Sequence, residues 1–174
     1  MAKEKNYHYF VEGQDEEKLL ATLKTDMRLI KPGKIQVFNV VERQMKKAYL
    51  LALKMHTTVV FVFDTDTEKT DILKQNIKIV EACPNVDEVI CVVQNKNLED
   101  ELKRACEIRE IKELTGSRTN SEYKHDLIAL KNLAAKLKEK NFQIEKMWAK
   151  KPPSEYEIEN GAEKIKQKYL IFTF

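Results

Sequence analysis

The chain has 174 residues and a mass of 20.4 kDa, one domain of ordinary size and not comfortably two. Hydrophobic residues at 43% against charged residues at 34% exclude a disordered or a membrane-embedded chain. A net charge of only +3 excludes a uniformly basic nucleic-acid coat.

Four apolar runs of strand length come first: Tyr7–Val11, Ile35–Val40, Thr58–Phe63 and Glu88–Val93. They are rich in Val, Ile, Phe and Tyr, as buried strands are. Helical spacing fills the gaps. Leu19, Leu20, Leu23 and Met27 predict a helix over Glu16–Leu29, and Met45, Ala48, Tyr49, Ala52 and Leu53 one over Glu42–Met55. Ile72, Ile79 and Val80 mark a third on Lys69–Ala82. Strands alternating with helices make βαβ units, so the expected fold class is α/β, a Rossmann-like parallel sheet of about four strands flanked by helices. The α/β core is expected over residues 1–100, with a helical extension over 101–174 in the same single domain.

Beyond Val93 the pattern is helical: Leu98–Arg109, then Ser121–Lys140 with Leu127, Leu130, Leu133, Ala134 and Leu137 on one stripe. Ser121 is a candidate cap, without a capping box because Lys124 stands three places on. Pro152-Pro153 interrupts the chain, Ser154 or Glu155 opens a last helix, and the apolar Tyr169–Phe174 reads as a late edge strand. This extension is basic. From Ser117 to Lys151 nine Lys and Arg stand against four Asp and Glu, so the rest of the chain is slightly acidic. Such asymmetry suits a protein that holds cations in one place and grips a polyanion in another, and it equally suits solvated helix faces.

Cys83, Cys91 and Cys106 are an odd count without CxxC spacing, against both a disulfide framework and a zinc knuckle. The longest apolar run, Thr58–Phe63, is far short of the roughly 18 to 20 residues that span a bilayer. Met1–Asn6 is charged and Tyr7–Val11 is too short for a signal peptide, so a cytoplasmic protein with no membrane partner is expected.

Carboxylates gather where an α/β fold keeps its sites, at the C-terminal ends of parallel strands. Glu12 follows the first strand, with Gly13 next and Glu16 four residues on. Asp64-Thr65-Asp66 follows the third, and Asn97 and Glu99 follow the fourth. Carboxylates that share a site cannot all stay ionised unless a cation neutralises them or protons are taken up. Hard oxygen donors in this number suit Mg²⁺ or Mn²⁺, and such ions stabilise displacement at a phosphodiester. Each piece alone has a plainer reading: a turn and cap for Asp64-Thr65-Asp66, a first-turn acid stabilised by the helix dipole for Glu99.

The stretch Tyr9-Phe10-Val11-Glu12-Gly13-Gln14-Asp15-Glu16 resembles the hydrophobic-Glu-Gly motif of TOPRIM domains, found in topoisomerases, bacterial primases and OLD-type nucleases. Val59-Val60-Phe61-Val62-Phe63-Asp64-Thr65-Asp66 resembles their strand-Asp-x-Asp motif, at a similar separation. Glu16 resembles an extra metal ligand of the OLD branch, and Asn97-Leu98-Glu99 the later acid of small stand-alone members. The likeness covers roughly residues 7–100. It implies Mg²⁺- or Mn²⁺-dependent cleavage of DNA or RNA, in phage defence or nucleic-acid processing. Glu12 and Glu16 would serve one metal and Asp64 and Asp66 another, with Glu99 as a further ligand. The resemblance extends neither to the ATPase domain of OLD proteins nor to the tyrosine domain of topoisomerases, and a single domain without either is expected.

A nuclease of this kind needs a cation at the scissile phosphate, and Lys124 is the candidate, with Arg118 behind it. Lys131, Lys150 and Lys151 are candidate phosphate contacts, and Trp148 among them a candidate base-stacking residue or, more plainly, a core aromatic. The alternative is a non-enzymatic nucleic-acid-binding or regulatory subunit that works with a larger partner such as an ATPase, or as a homo-oligomer. A haloacid-dehalogenase-type phosphatase also carries Asp-x-Asp, but on its first strand, and it wants Thr or Val where this chain has Glu68.

Overall fold

The computed structural model describes residues 5–167. Its strands are β1 Asn6–Val11, β2 Lys34–Val37, β3 Thr57–Asp64 and β4 Val86–Gln94. All pair in parallel, in the order β2-β1-β3-β4. Side chains alternate across a sheet, and here both faces are covered. On one face Tyr9, Val11, Val60, Val62, Ile90 and Val92 pack in a core with Leu19, Leu20 and Leu23 and with the later helices. On the other, Phe10, Val59, Phe61, Phe63 and Val93 meet Phe38, Met45, Leu73 and Tyr156. A strand buried on both faces reads as one apolar run, and β3 is the clearest case: TTVVFVFD is buried at every position but the last.

The helices are α1 Gln14–Ala21, α2 Lys47–Leu51, α3 Asp71–Glu81, α4 Leu98–Ala105, α5 Lys112–Thr115, α6 Tyr123–Ala129 and α7 Leu133–Glu139. Three of them differ from expectation. The helix expected over Glu16–Leu29 starts at Gln14 and widens after α1 into a π-helix, Thr22–Asp26. There Thr22 Oγ1 bonds the Lys18 carbonyl and the Met27 N–H reaches the Thr22 carbonyl. The helix expected over Glu42–Met55 shrinks to α2. Asn39 Oδ1 accepts the N–H groups of Val41 and Glu42, while the buried Asn76 bonds the Val40 and Arg43 carbonyls and the Met45 N–H. Residues 40–45 are thereby pinned as a loop.

The long helix expected over Ser121–Lys140 is two helices. Leu130 leaves helical geometry at ψ 127°, and Asn132 Oδ1 caps α7 by accepting the Ala135 N–H. The cap before α6 is Thr119 rather than Ser121, with the Glu122 carboxylate reaching back to the Thr119 N–H at 3.3 Å. Ser154–Tyr156 is a single 3₁₀ turn rather than a helix. The strand expected over Tyr169–Phe174 lies outside the described residues. The three cysteines are free. Among the described residues no helix is long and apolar enough to cross a membrane.

Candidate active site at the C-terminal edge of the sheet

The strand register places the site. Val11 pairs with Val62, so Glu12 leaves β1 level with the end of β3, and Asp64 pairs with Gln94 on β4. Glu12 Oε1 accepts the Asp64 N–H across that boundary at 3.2 Å. Gln94, fully buried, donates from Nε2 to Asp64 Oδ1 at 2.6 Å. Asp66 stands in the loop just beyond, and Glu99 in the first turn of α4, whose Asn97 cap accepts the Asp100 N–H. Parallel strands bring Glu12, Asp64, Asp66 and Glu99 to one edge.

The start of α1 adds two more acids. Asp15 and Glu16 are both buried, and Glu16 Oε2 has no hydrogen-bond partner. A carboxylate oxygen in that condition is costly to bury. Gly13 makes the arrangement possible, because a Cβ there would lie 3.0 Å from Asp15 Oδ1 and 3.1 Å from Glu16 Oε2. From the other side α6 brings Tyr123, whose hydroxyl donates to Asp15 Oδ2 at 3.4 Å, and Lys124, whose Nζ lies 3.7 Å from both Asp15 Oδ2 and Glu99 Oε1.

Burial and mutual repulsion hold protons on this edge. Glu12 is pushed up to about 8, first by burial and then by Asp64. Asp64 rises to about 7 by burial, with the Gln94 hydrogen bond opposing and Asp66 adding to the rise. Glu16 is raised by burial and by Asp15 beside it. Burial works against the Lys124 charge, but Asp15 and Glu99 outweigh it and raise its pKa.

The donor chemistry fits a hard divalent cation: oxygens only, one of them buried and unpartnered. The spacing is looser. Among the described residues no three Asp, Glu, His or Cys side chains are gathered closely enough to hold one ion, so the expected ligands Glu12, Glu16, Asp64, Asp66 and Glu99 do not form a ready-made cage. Taking up an ion requires some of these side chains to turn.

The expected nucleic-acid contacts divide. Arg118, Lys131, Lys150 and Lys151 are exposed, as a phosphate contact must be. Trp148 is not available to a base, which corrects the stacking expectation. It is 1% exposed, its indole N–H donates to Gln94 Oε1 at 3.4 Å, and its backbone N–H donates to Glu101 Oε2 at 2.8 Å. An indole N–H can only donate, so it turns the Gln94 carboxamide oxygen toward itself and the amide nitrogen toward Asp64. Trp148 is thus a support of the site from behind. Glu101, itself fully buried, also accepts the Asn95 N–H and pairs with Arg104 at 2.7 Å.

Gln94, Asp15 and Tyr123 are the site residues that sequence reasoning missed. Asp15 was legible as an acid between Gly13 and Glu16. Gln94, a lone polar residue closing a strand, carries no signal of its own. Comparison with known protein families, with curated proteins and with solved structures yields no match.

Proposed function

We propose that the chain is a divalent-metal-dependent nuclease of TOPRIM type, cleaving phosphodiester bonds of DNA or RNA. The observation that supports this most is the convergence of Glu12, Asp64, Asp66 and Glu99 at three parallel strand ends, beside a buried Glu16 oxygen without a partner. Bound Mg²⁺ or Mn²⁺ would supply charge stabilisation at the phosphate and a more acidic water. The protein's own part is specific. Glu12, Asp64 and Asp66 would supply oxygen ligands to the ion, with Glu16 and Glu99 flanking them. Gln94 holds Asp64 by one oxygen and leaves Oδ2 for an ion. Lys124, half exposed and tethered by Asp15 and Glu99, is placed to meet the anionic substrate as it enters. Arg118, Lys131, Lys150 and Lys151 are exposed cations that would add attraction for a polyanion.

A second reading, a nucleic-acid-binding or regulatory subunit serving a larger partner, is favoured by one observation: the carboxylates are not gathered into a cage. A cleavage assay separates the two. Single- and double-stranded DNA and RNA are incubated with Mg²⁺, Mn²⁺ or EDTA. The wild type is compared with Asp64→Asn/Asp66→Asn and Glu12→Gln. Metal-dependent cutting, undetectable in both variants, is the expected result. Nucleic-acid binding without cutting supports the subunit, and cutting that survives both variants overturns the site.

A further inference from the structure

Two cavities away from the carboxylates differ in charge. The larger, about 720 Å³, lies between α3 and residues 157–164, and both signs line it. There Lys74 pairs with Glu157 at 3.4 Å, and Lys164 with Glu88 at 2.6 Å. The smaller, about 410 Å³, lies at the N-terminal ends of β1, β2 and β3, the opposite end of the sheet from the carboxylates. Lys5, Lys34 and Lys54 line it, and no Asp or Glu does. Among the described residues none of these three ammonium groups has an ion-pair or hydrogen-bond partner.

The fold builds this pocket in two ways. The loop Pro32-Gly33-Lys34 lies so close to β1 that a Cβ on Gly33 would collide with the Tyr7 carbonyl, which brings the Lys34 backbone against the strand. The Lys24 ammonium, bonded to the Gly33 carbonyl at 2.9 Å, adds a further positive charge beside that loop. Lys54 is exposed in the segment between α2 and β3, and Thr57 at the start of β3 is buried behind it. His8 and Thr57 complete the wall. Burial, and then the Lys34 charge, lower the pKa of His8 against a hydrogen bond to Gln36, so the floor is neutral and the rim positive.

We propose that this pocket binds a phosphate group. Three lysines open onto one cavity with no carboxylate among its lining residues, so an anion seated there meets positive charge from several sides and no repulsion from an acid. A phosphate brings up to two negative charges and several oxygens that separate lysines can approach from different directions, where a carboxylate brings one charge. The shared chemistry covers a free phosphate or nucleotide and a backbone phosphate of a nucleic-acid strand. The site does not depend on the carboxylate edge, and it stands or falls separately.

The test titrates the full chain with inorganic phosphate, a 5′-mononucleotide and a short single-stranded oligonucleotide at matched ionic strength, with acetate as control. Calorimetry and the amide NMR shifts of Gly33 and Lys34 are the readouts. Lys34→Glu/Lys54→Glu is compared with Lys74→Glu/Lys78→Glu, the same charge change in the larger cavity. At least one phosphate ligand should shift Gly33 and Lys34 where acetate does not. Its affinity should fall at least about tenfold in the first variant and less than about twofold in the second. For a strand, the salt dependence should also lose a slope of about 1.4, roughly 0.7 per phosphate contact. Binding of phosphate and mononucleotide as strong as that of the oligonucleotide assigns a free phosphate ligand, and binding of the oligonucleotide alone assigns a strand. Lys34→Ala/Lys54→Ala repeats the measurement if the charge reversal disturbs folding. No shift with any phosphate ligand, or equal losses in both variants, overturns the proposal.

Discussion

The two ends of the parallel sheet carry unbalanced charge of opposite sign and handle it differently. At the C-terminal end the acids are drawn into the protein: Glu16 is 3% exposed, Asp15 is buried, and Asp64 is tied to a fully buried Gln94. Charge there is limited by retained protons, since burial raises Glu12 and Asp64. At the N-terminal end Lys5, Lys34 and Lys54 stay in water, where solvent screens them at little cost. Buried like charge must be supported by neighbouring structure, and exposed like charge need not be. Disturbing the two ends should therefore have unequal consequences.

The largest effect is expected from the support behind the carboxylates. Trp148→Ala removes a fully buried indole and the donor that orients Gln94, and should destabilise the fold by about 3 to 5 kcal/mol in urea denaturation. Alanine keeps a Cβ, so the left-handed backbone at position 148 (φ 53°), held by Glu101 and by the Asn160 amide on its carbonyl, gains no relief to offset that loss. A loss under about 1 kcal/mol would break the comparison.

An intermediate effect is expected from pH. Glu12 and Asp64 bind protons up to about 8 and about 7 when folded, against ordinary values of 4.5 and 3.8. Between those limits the folded chain holds more protons than the unfolded one, so stability is full below pH about 4 to 5 and falls as pH rises through 7 to 8. In EDTA the unfolding free energy should fall by a few kcal/mol from pH 5.5 to pH 8.5, and the melting temperature with it. Mn²⁺ at the higher pH should recover it, by stabilising the ionised form. A melting temperature that rises over this range would contradict the electrostatics of the edge.

The smallest effect is expected at the other end. Lys34→Ala/Lys54→Ala should change stability by less than about 0.5 kcal/mol in the same denaturation experiment, because exposed side chains without partners hold nothing in place. A larger change would show that the lysines brace the fold, and the contrast between the two ends would lose its basis.

How far sequence reached follows the same division between buried and exposed. Strands were legible because β3, most of β1 and the second half of β4 are covered on both faces and must be largely apolar there, and the carboxylates after them were legible because parallel strands all end on one edge. Helix extent was not, wherever a side chain took over the backbone bonding. Asn76, distant in sequence, holds residues 40–45 out of the helix their periodicity suggests. Asn132 starts α7 inside what looks like an unbroken leucine stripe. Trp148 flanked by lysines reads as either a base-stacking residue or, more plainly, a core aromatic, and the buried Glu101 that accepts its backbone N–H is 47 residues away. No local pattern reports such a partner.

One of these features also makes the molecule observable. Trp148 is the only tryptophan in the chain, shielded from water and two hydrogen bonds removed from Asp64 by way of Gln94. The protein thus carries a single native indole fluorophore, joined through Gln94 to a carboxylate whose ionisation burial opposes. Its emission arises from one known place, with no label to attach and no second indole to subtract.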